Sequence, residues 1–177
     1  MKSLDKIIAG CKKNKPKDQA LLFEMFSDKM FGTCLYYSSN REDAEDLLHD
    51  GFLKIFENIK KYEDGNLEAW MRRVFINLAL MRYRRNKHRR EVEDVEALMD
   101  SVRSVPEDNT LHANELMAMI SRLPIRYRLV FNLYAIEGFK HKEIAGMLDI
   151  SEGTSKSNLS RARQILQQQL KSKEDKR

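Results

Sequence analysis

The sequence predicts an all-α chain of two small helical domains joined by a flexible acidic linker. Three observations carry this: only 7 Gly and 3 Pro in 177 residues, apolar residues at helical spacing through most of the chain, and an aperiodic acidic stretch around residues 91–112. Sandwiches, barrels and Gly-rich nucleotide-binding folds need many tight turns, which so few glycines and prolines do not supply. A 42% hydrophobic content suffices for the cores of two small domains. The longest uncharged stretch, Met30 to Asn40, falls far short of the ~20 apolar residues of a membrane span, so no membrane insertion is expected.

Asp5 and Lys6 interrupt the segment before Cys11 and leave no apolar run long enough for a signal sequence. Residues 1–18 are expected to form an N-terminal tail. Cys11 and Cys34 have no second Cys or His at ligand spacing, and His49, His88, His112 and His141 are scattered. The expectation is no zinc site, no disulfide, no cofactor and a cytoplasmic compartment.

The first domain is expected over residues 19–90. From Gln19 to Ser39, Leu22, Phe23, Phe26, Met30, Phe31, Cys34 and Leu35 recur at helical spacing, with a break expected near Gly32. Asn40 starts a second helix through Lys61, whose apolar stripe is Ala44, Leu47, Leu48, Gly51, Phe52, Ile55 and Ile59. Asp43, Asp46, Asp50 and Glu57 fall on its other side. Such an acidic ridge is either a solvated face or a docking strip for a basic partner. A metal-carboxylate nuclease site is disfavoured, because carboxylates on one outer helix face do not converge on an ion without ligands from elsewhere.

Tyr62 to Asn66 has turn chemistry and leads to a third helix from Leu67, with Leu67, Trp70, Met71, Val74, Leu78 and Met81 as its expected inner stripe. Arg73, Asn77 and Arg84 share another flank suited to nucleic acid, since guanidinium groups fix phosphates and a side-chain amide offers both a donor and an acceptor. Ile76 and Leu80 lie near that flank and call for burial. Residues 71–90 hold eight basic residues and no acid, whereas 41–68 net −5 and 91–115 net −7. The run from Arg82 to Arg90 is a polyanion patch or a solubilising segment. The linker, residues 91–112, contains Pro106 and clustered acids that either screen a neighbouring basic surface or form a solvated spacer.

The second domain is expected over residues 113–171, followed by a tail at 172–177. His112 to Leu123 reads as a helix ended by Pro124, and Arg126 to Glu137 as another closed by Gly138. Lys140 to Leu148, a turn at Asp149-Ile150-Ser151 and a long helix capped by Ser151 form a helix-turn-helix pattern, which two packed bundle helices would share. The last helix has an inner stripe of Ser155, Leu159, Ala162, Leu166 and Leu170. Its outer arc presents Ser157, Ser160, Arg161 and Gln164, with Lys156 and Arg163 at the edge. Those side chains suit base edges and phosphates.

Taken together, the chain resembles the extracytoplasmic-function (ECF) sigma factors of bacterial RNA polymerase, members of the sigma-70 family, over nearly all of residues 19–171. Ala44 to Lys54 resembles the family's core-binding helix in region two, and Trp70 to Asn77 the helix that reads the minus-10 element. Glu152 to Ser157 with Arg161-Ala162-Arg163 is similar to the region-four recognition helix. The resemblance implies an alternative sigma factor, without enzymatic activity, that binds core RNA polymerase and promoter DNA. It implies that Asp43, Asp46 and Asp50 dock on the polymerase clamp. Tyr62, Asn66, Arg73 and Asn77 then hold melted minus-10 DNA, with Arg84 beyond them. Lys156, Ser157, Ser160, Arg161 and Arg163, joined by Gln164 from the outer arc, face minus-35 duplex, and region four touches the polymerase flap. It also implies an anti-sigma partner and a linker threading toward the RNA exit path.

The sequence departs from the family pattern at several positions. His49-Asp50-Gly51 stands where Gln-Glu-Thr is commoner, Ser155 where Val or Ala is usual, Asn158 where Arg is usual, and Asp149 at a turn position that prefers Gly. The alternative from another functional class is a conventional dimeric helix-turn-helix regulator, which needs neither the acidic ridge nor the basic helix of the first domain.

Overall fold

A computed structural model describes residues 2–90 and 111–174 of the chain. The described residues form helices and connecting turns, and the chain divides into two compact units, Met1–Met81 and Arg82–Arg177. The expected linker over 91–112 lies, except for its last two residues, outside the described residues.

The first unit contains α1 (Leu4–Lys12), α2 (Pro16–Tyr37), α3 (Arg41–Asn58), a 3-10 turn at Ile59–Lys61, and the start of α4 (Leu67–Arg90). The boundary between the two units falls within α4, after Met81. Instead of a tail over residues 1–18, the chain forms α1, with Ile7, Ile8 and Cys11 buried, and Pro16 already opens α2. Pro is favoured there because the first helical N–H has no intrahelical partner in any case. Helix α2 runs unbroken through Gly32 and buries Leu22, Phe26, Met30 and Cys34.

Asn40 caps α3 as its sequence position suggests, its Oδ1 accepting from the Asp43 N–H at 2.8 Å. The α3 stripe is buried at Ala44, Leu47, Gly51, Phe52, Ile55 and Ile59, while Leu48 is half-buried. In α4 the expected inner stripe needs correction at two places. Met81 is 40% exposed, and the fully buried aromatic is Phe75. Ile76 and Leu80 are buried as well, which places Arg73 and Asn77 at the edge of a covered flank.

The second unit carries α5 (Leu111–Ser121), α6 (Ile125–Phe131), a π-helical segment at Asn132–Ile136, α7 (His141–Leu148) and α8 (Glu152–Glu174). The helix expected from Arg126 to Glu137 thus widens at Asn132, then closes at Gly138 with φ 77°. Helix α8 packs against α5, α6 and α7. Leu129, Val130, Leu133, Ile144, Leu148, Leu159 and Ala162 are all buried. The inner stripe of α8 is buried from Ser155 to Leu166 but not at Leu170, which is 48% exposed.

Candidate nucleic-acid interface

Two polar faces and one acidic ridge carry the sequence-predicted site residues. Along α3, Asp46 and Asp50 are exposed and Asp43 is half-buried, on the side away from Leu47, Gly51 and Ile55. Glu57, the fourth acid, is paired with Lys54 at 2.7 Å, so part of its charge is balanced locally. Asp43 stands in the first turn of α3, where the helix dipole favours a carboxylate.

On α4, Arg73, Asn77 and Arg84 are all exposed. At roughly 100° per residue, steps of four and eleven bring each back to within about 40° of Arg73, so the three side chains share one face. Arg72, the neighbouring base, is turned inward, its Nη1 donating to the buried Thr33 hydroxyl at 3.0 Å.

The loop before α4 departs from the expectation that Tyr62 and Asn66 present themselves to DNA. Tyr62 is buried, its hydroxyl donating to the Gly65 carbonyl at 2.6 Å and its ring 5.5 Å from that of Trp70. Asn66 is exposed but caps α4, Oδ1 accepting from the Ala69 N–H at 3.0 Å. Gly65 adopts φ 111°, a backbone region open to glycine. Tyr62 and Asn66 thus shape the loop, and Asn66 still has two amide N–H donors beyond its capping oxygen. Trp70 is half-buried against Tyr62, in keeping with a packing role.

In the second unit, the turn between α7 and α8 has the geometry of a helix-turn-helix. Asp149 takes a left-handed conformation at φ 55°, and the Ile150 N–H donates to the Ala145 carbonyl at 3.0 Å, closing α7. Asp is among the few residues that tolerate this backbone, which explains its presence where Gly is preferred. Lys140 is the N-cap of α7, and its N–H donates to the Glu143 carboxylate at 2.8 Å. Ser151 accepts from the Thr154 N–H at 3.0 Å, opening α8.

From that start, Lys156, Ser157, Ser160, Arg161, Arg163 and Gln164 are all exposed. Arg161 leans toward Gln164, Nη1 to Oε1 3.4 Å, a long contact. Ser157 donates to the Thr154 carbonyl at 3.0 Å and keeps its lone pairs as acceptors.

Two residues missed in the sequence support this arc. The Arg163 guanidinium lies 5.7 Å from the Tyr134 ring centroid, and that ring stacks on His141 at 4.8 Å. His141 Nδ1 in turn shares a 2.9 Å hydrogen bond with the buried Ser155 hydroxyl. Ser155, the departure from Val or Ala, therefore ties α8 to α7. The signal was absent from the sequence because Tyr134 lies in a π-helical turn, off the register of an α-helical pattern.

Both parts of the chain are similar to known proteins. Residues 22–89 match the family model for sigma-70 region 2, and residues 113–166 that for sigma-70 region 4. The ECF RNA polymerase sigma factor SigE of Mycolicibacterium smegmatis is 31% identical over 84% of this chain, which spans 60% of that relative. The ECF sigma factor SigM of Bacillus subtilis is 30% identical over 82% of this chain and 90% of its own length. The chain belongs to the ECF family of RNA polymerase sigma factors. Its fold is also that of the sigma factor RpoE of Bartonella quintana, solved with the anti-sigma factor NepR, at 27% identity and a TM-score of 0.54, covering 88% of this chain and 98% of the relative.

Within this ECF sigma factor, region two contributes the acidic ridge and the α4 face, and region four contributes the α8 arc. Its role is that of an alternative sigma factor. Among the described residues no helix is long and apolar enough to cross a membrane, and no cluster of His, Cys, Asp and Glu is arranged to hold a metal ion.

Proposed function

We propose that this sigma factor binds core RNA polymerase through Asp43, Asp46 and Asp50, reads minus-35 duplex with the α8 arc, and captures melted minus-10 DNA with the α4 face. The observation that carries this reading is the segregation of charge onto ordered helix faces. Carboxylates line α3, while the exposed arc of α8 from Lys156 to Gln164 contains no acid.

Chemically, the two DNA faces do different work. Arg161 can address guanine O6 and N7 in the major groove, Gln164 and the serines address other base edges, and Lys156 and Arg163 favour phosphate. Duplex binding positions the complex but favours neither the closed nor the open state. The α4 face, with Arg73 on phosphate and Asn77 on a base edge, gains contacts only when a base leaves the stack, so it stabilises the open state selectively. Asn66 adds amide donors at the loop, Tyr62 holds the loop's shape, and Arg84 extends the phosphate track.

The chain itself carries out no reaction in this reading; polymerase supplies the chemistry in the cytoplasm, and one copy of the chain supplies the address. Residues 19–90 and 113–171 act as the two functional domains, joined by residues 91–112. An anti-sigma protein is the expected regulator, in line with the partner present in the Bartonella quintana structure. The test is association of the purified chain with core polymerase in the absence of DNA. A stoichiometric complex supports the reading; none, with tight binding to a palindromic duplex as a dimer, favours the conventional helix-turn-helix regulator instead.

A further inference from the structure

Helix α1 is docked through a buried ion pair, a close helix approach and apolar contact. Asp18, in the first turn of α2, is only 2% exposed and forms an ion pair with Lys2. A buried carboxylate requires such a partner. Gly10 lets α1 approach closely, since a Cβ there would stand 1.8 Å from Asp18 Oδ2. Ile7, Ile8 and Cys11 fill the remaining contact with buried apolar surface, and α1 packs on both α2 and the 3-10 turn at Ile59–Lys61.

The other end of α1 reaches the loop that precedes α4. Lys12, its last residue, is half-buried and donates from Nζ to the Tyr62 carbonyl at 2.5 Å. The same ammonium lies 5.9 Å from the Tyr62 ring centroid. Tyr62 passes the constraint on, through its hydroxyl to the Gly65 carbonyl, one residue before the Asn66 cap of α4. The loop is thereby fixed at both ends, by a charge-assisted hydrogen bond from a distant segment and by a helix cap.

We infer that Lys12 is a positioning residue for promoter opening: α1 clamps the Tyr62–Asn66 loop in the shape that lets the α4 face receive an extruded base. The inference rests on the proposed minus-10 role of that face. Lys12 does not touch DNA in this account. It removes conformational freedom from the loop before DNA arrives, so that less ordering is left for the binding step.

Holoenzymes carrying Lys12→Met, Lys12→Arg or Asn77→Ala test this on a duplex promoter with a fluorescent base analogue in the minus-10 element. Lys12→Met is expected to slow opening about tenfold, in line with the loss of one charge-assisted hydrogen bond. Core association and binding to a minus-35 duplex should stay within twofold of the parent, and Lys12→Arg, which keeps the charge and a donor, should recover most of the opening rate. Slow opening by Asn77→Ala with normal opening by Lys12→Met overturns the inference alone. An equal loss of core association by Lys12→Met, or no recovery with Arg, also overturns it, reducing Lys12 to a fold contact. Normal opening by Asn77→Ala overturns the reading on which the inference stands.

Discussion

A Cβ placed on Gly51 would stand 1.9 Å from Cε1 of Phe75, so the ring from α4 lies directly against the backbone of α3. Phe75 is fully buried there and meets Phe52 edge-on, ring centroids 5.7 Å apart. This joins the helix bearing the acidic ridge to the helix bearing Arg73 and Asn77. It also accounts for Gly51: the volume a side chain would need is occupied by the ring.

Gly51→Ala is therefore expected to destabilise the chain despite the higher helix propensity of Ala. Overpacking costs about 1–3 kcal/mol, and a contact this close belongs toward the upper end, above the ~1 kcal/mol propensity gain. Urea unfolding measures it, and Phe75→Leu in the same chain should recover part of the loss. A Gly51→Ala chain as stable as the parent would show that the contact relaxes freely.

Charge reversal on the ridge separates docking from solvation. Asp46→Lys with Asp50→Lys is expected to slow association with core polymerase about tenfold at low salt, with a smaller effect at high salt. Stopped-flow anisotropy reads the rate. Unchanged association at every salt concentration would make the ridge a solvated face.

For minus-35 recognition, Arg161→Ala should weaken holoenzyme binding to its preferred promoter by about 1–3 kcal/mol and relax discrimination at one base position. Competition binding against single-base variants of the duplex checks this. An equal loss on all sequences would assign Arg161 to phosphate.

Cys11 offers a probe of α1 docking. Burial, and after it the nearby Asp18 carboxylate, pushes its thiol up from 9.0 to about 11, so little thiolate exists in the folded chain near pH 8. Alkylation at that pH, located by peptide mass, is expected to be slow until urea unfolds the protein. Because the folded value exceeds the unfolded one, this group favours folding below about pH 9, and the advantage fades as pH rises toward 11. Rapid labelling of Cys11 in the native chain would show that α1 opens readily.

Much of the fold was legible because it rests on local periodicity. The α3 stripe from Ala44 to Ile59, the Asn40 cap and the α7–α8 turn each follow from residues within a few positions of one another. What was hidden depends on distant partners. The segment around Ile7, Ile8 and Cys11 is too short to declare itself a helix, and its docking rests on Asp18 and Tyr62. Phe75 lay outside the expected stripe because the space that receives it is made by a glycine on another helix. The position of Tyr62 in the motif points it toward DNA, whereas its hydroxyl bond to Gly65 is a matter of loop geometry. Charged and polar surface residues were the most readable of all: Arg73, Asn77 and the α8 arc are exposed where helical spacing puts them.

Run-off transcription by core polymerase on a randomised promoter library, with and without the chain, tests the central claim most directly. RNA chains starting from a narrow set of templates that share two short elements, only when the chain is present, is the predicted result. Initiation no more selective than that of core polymerase alone would contradict it.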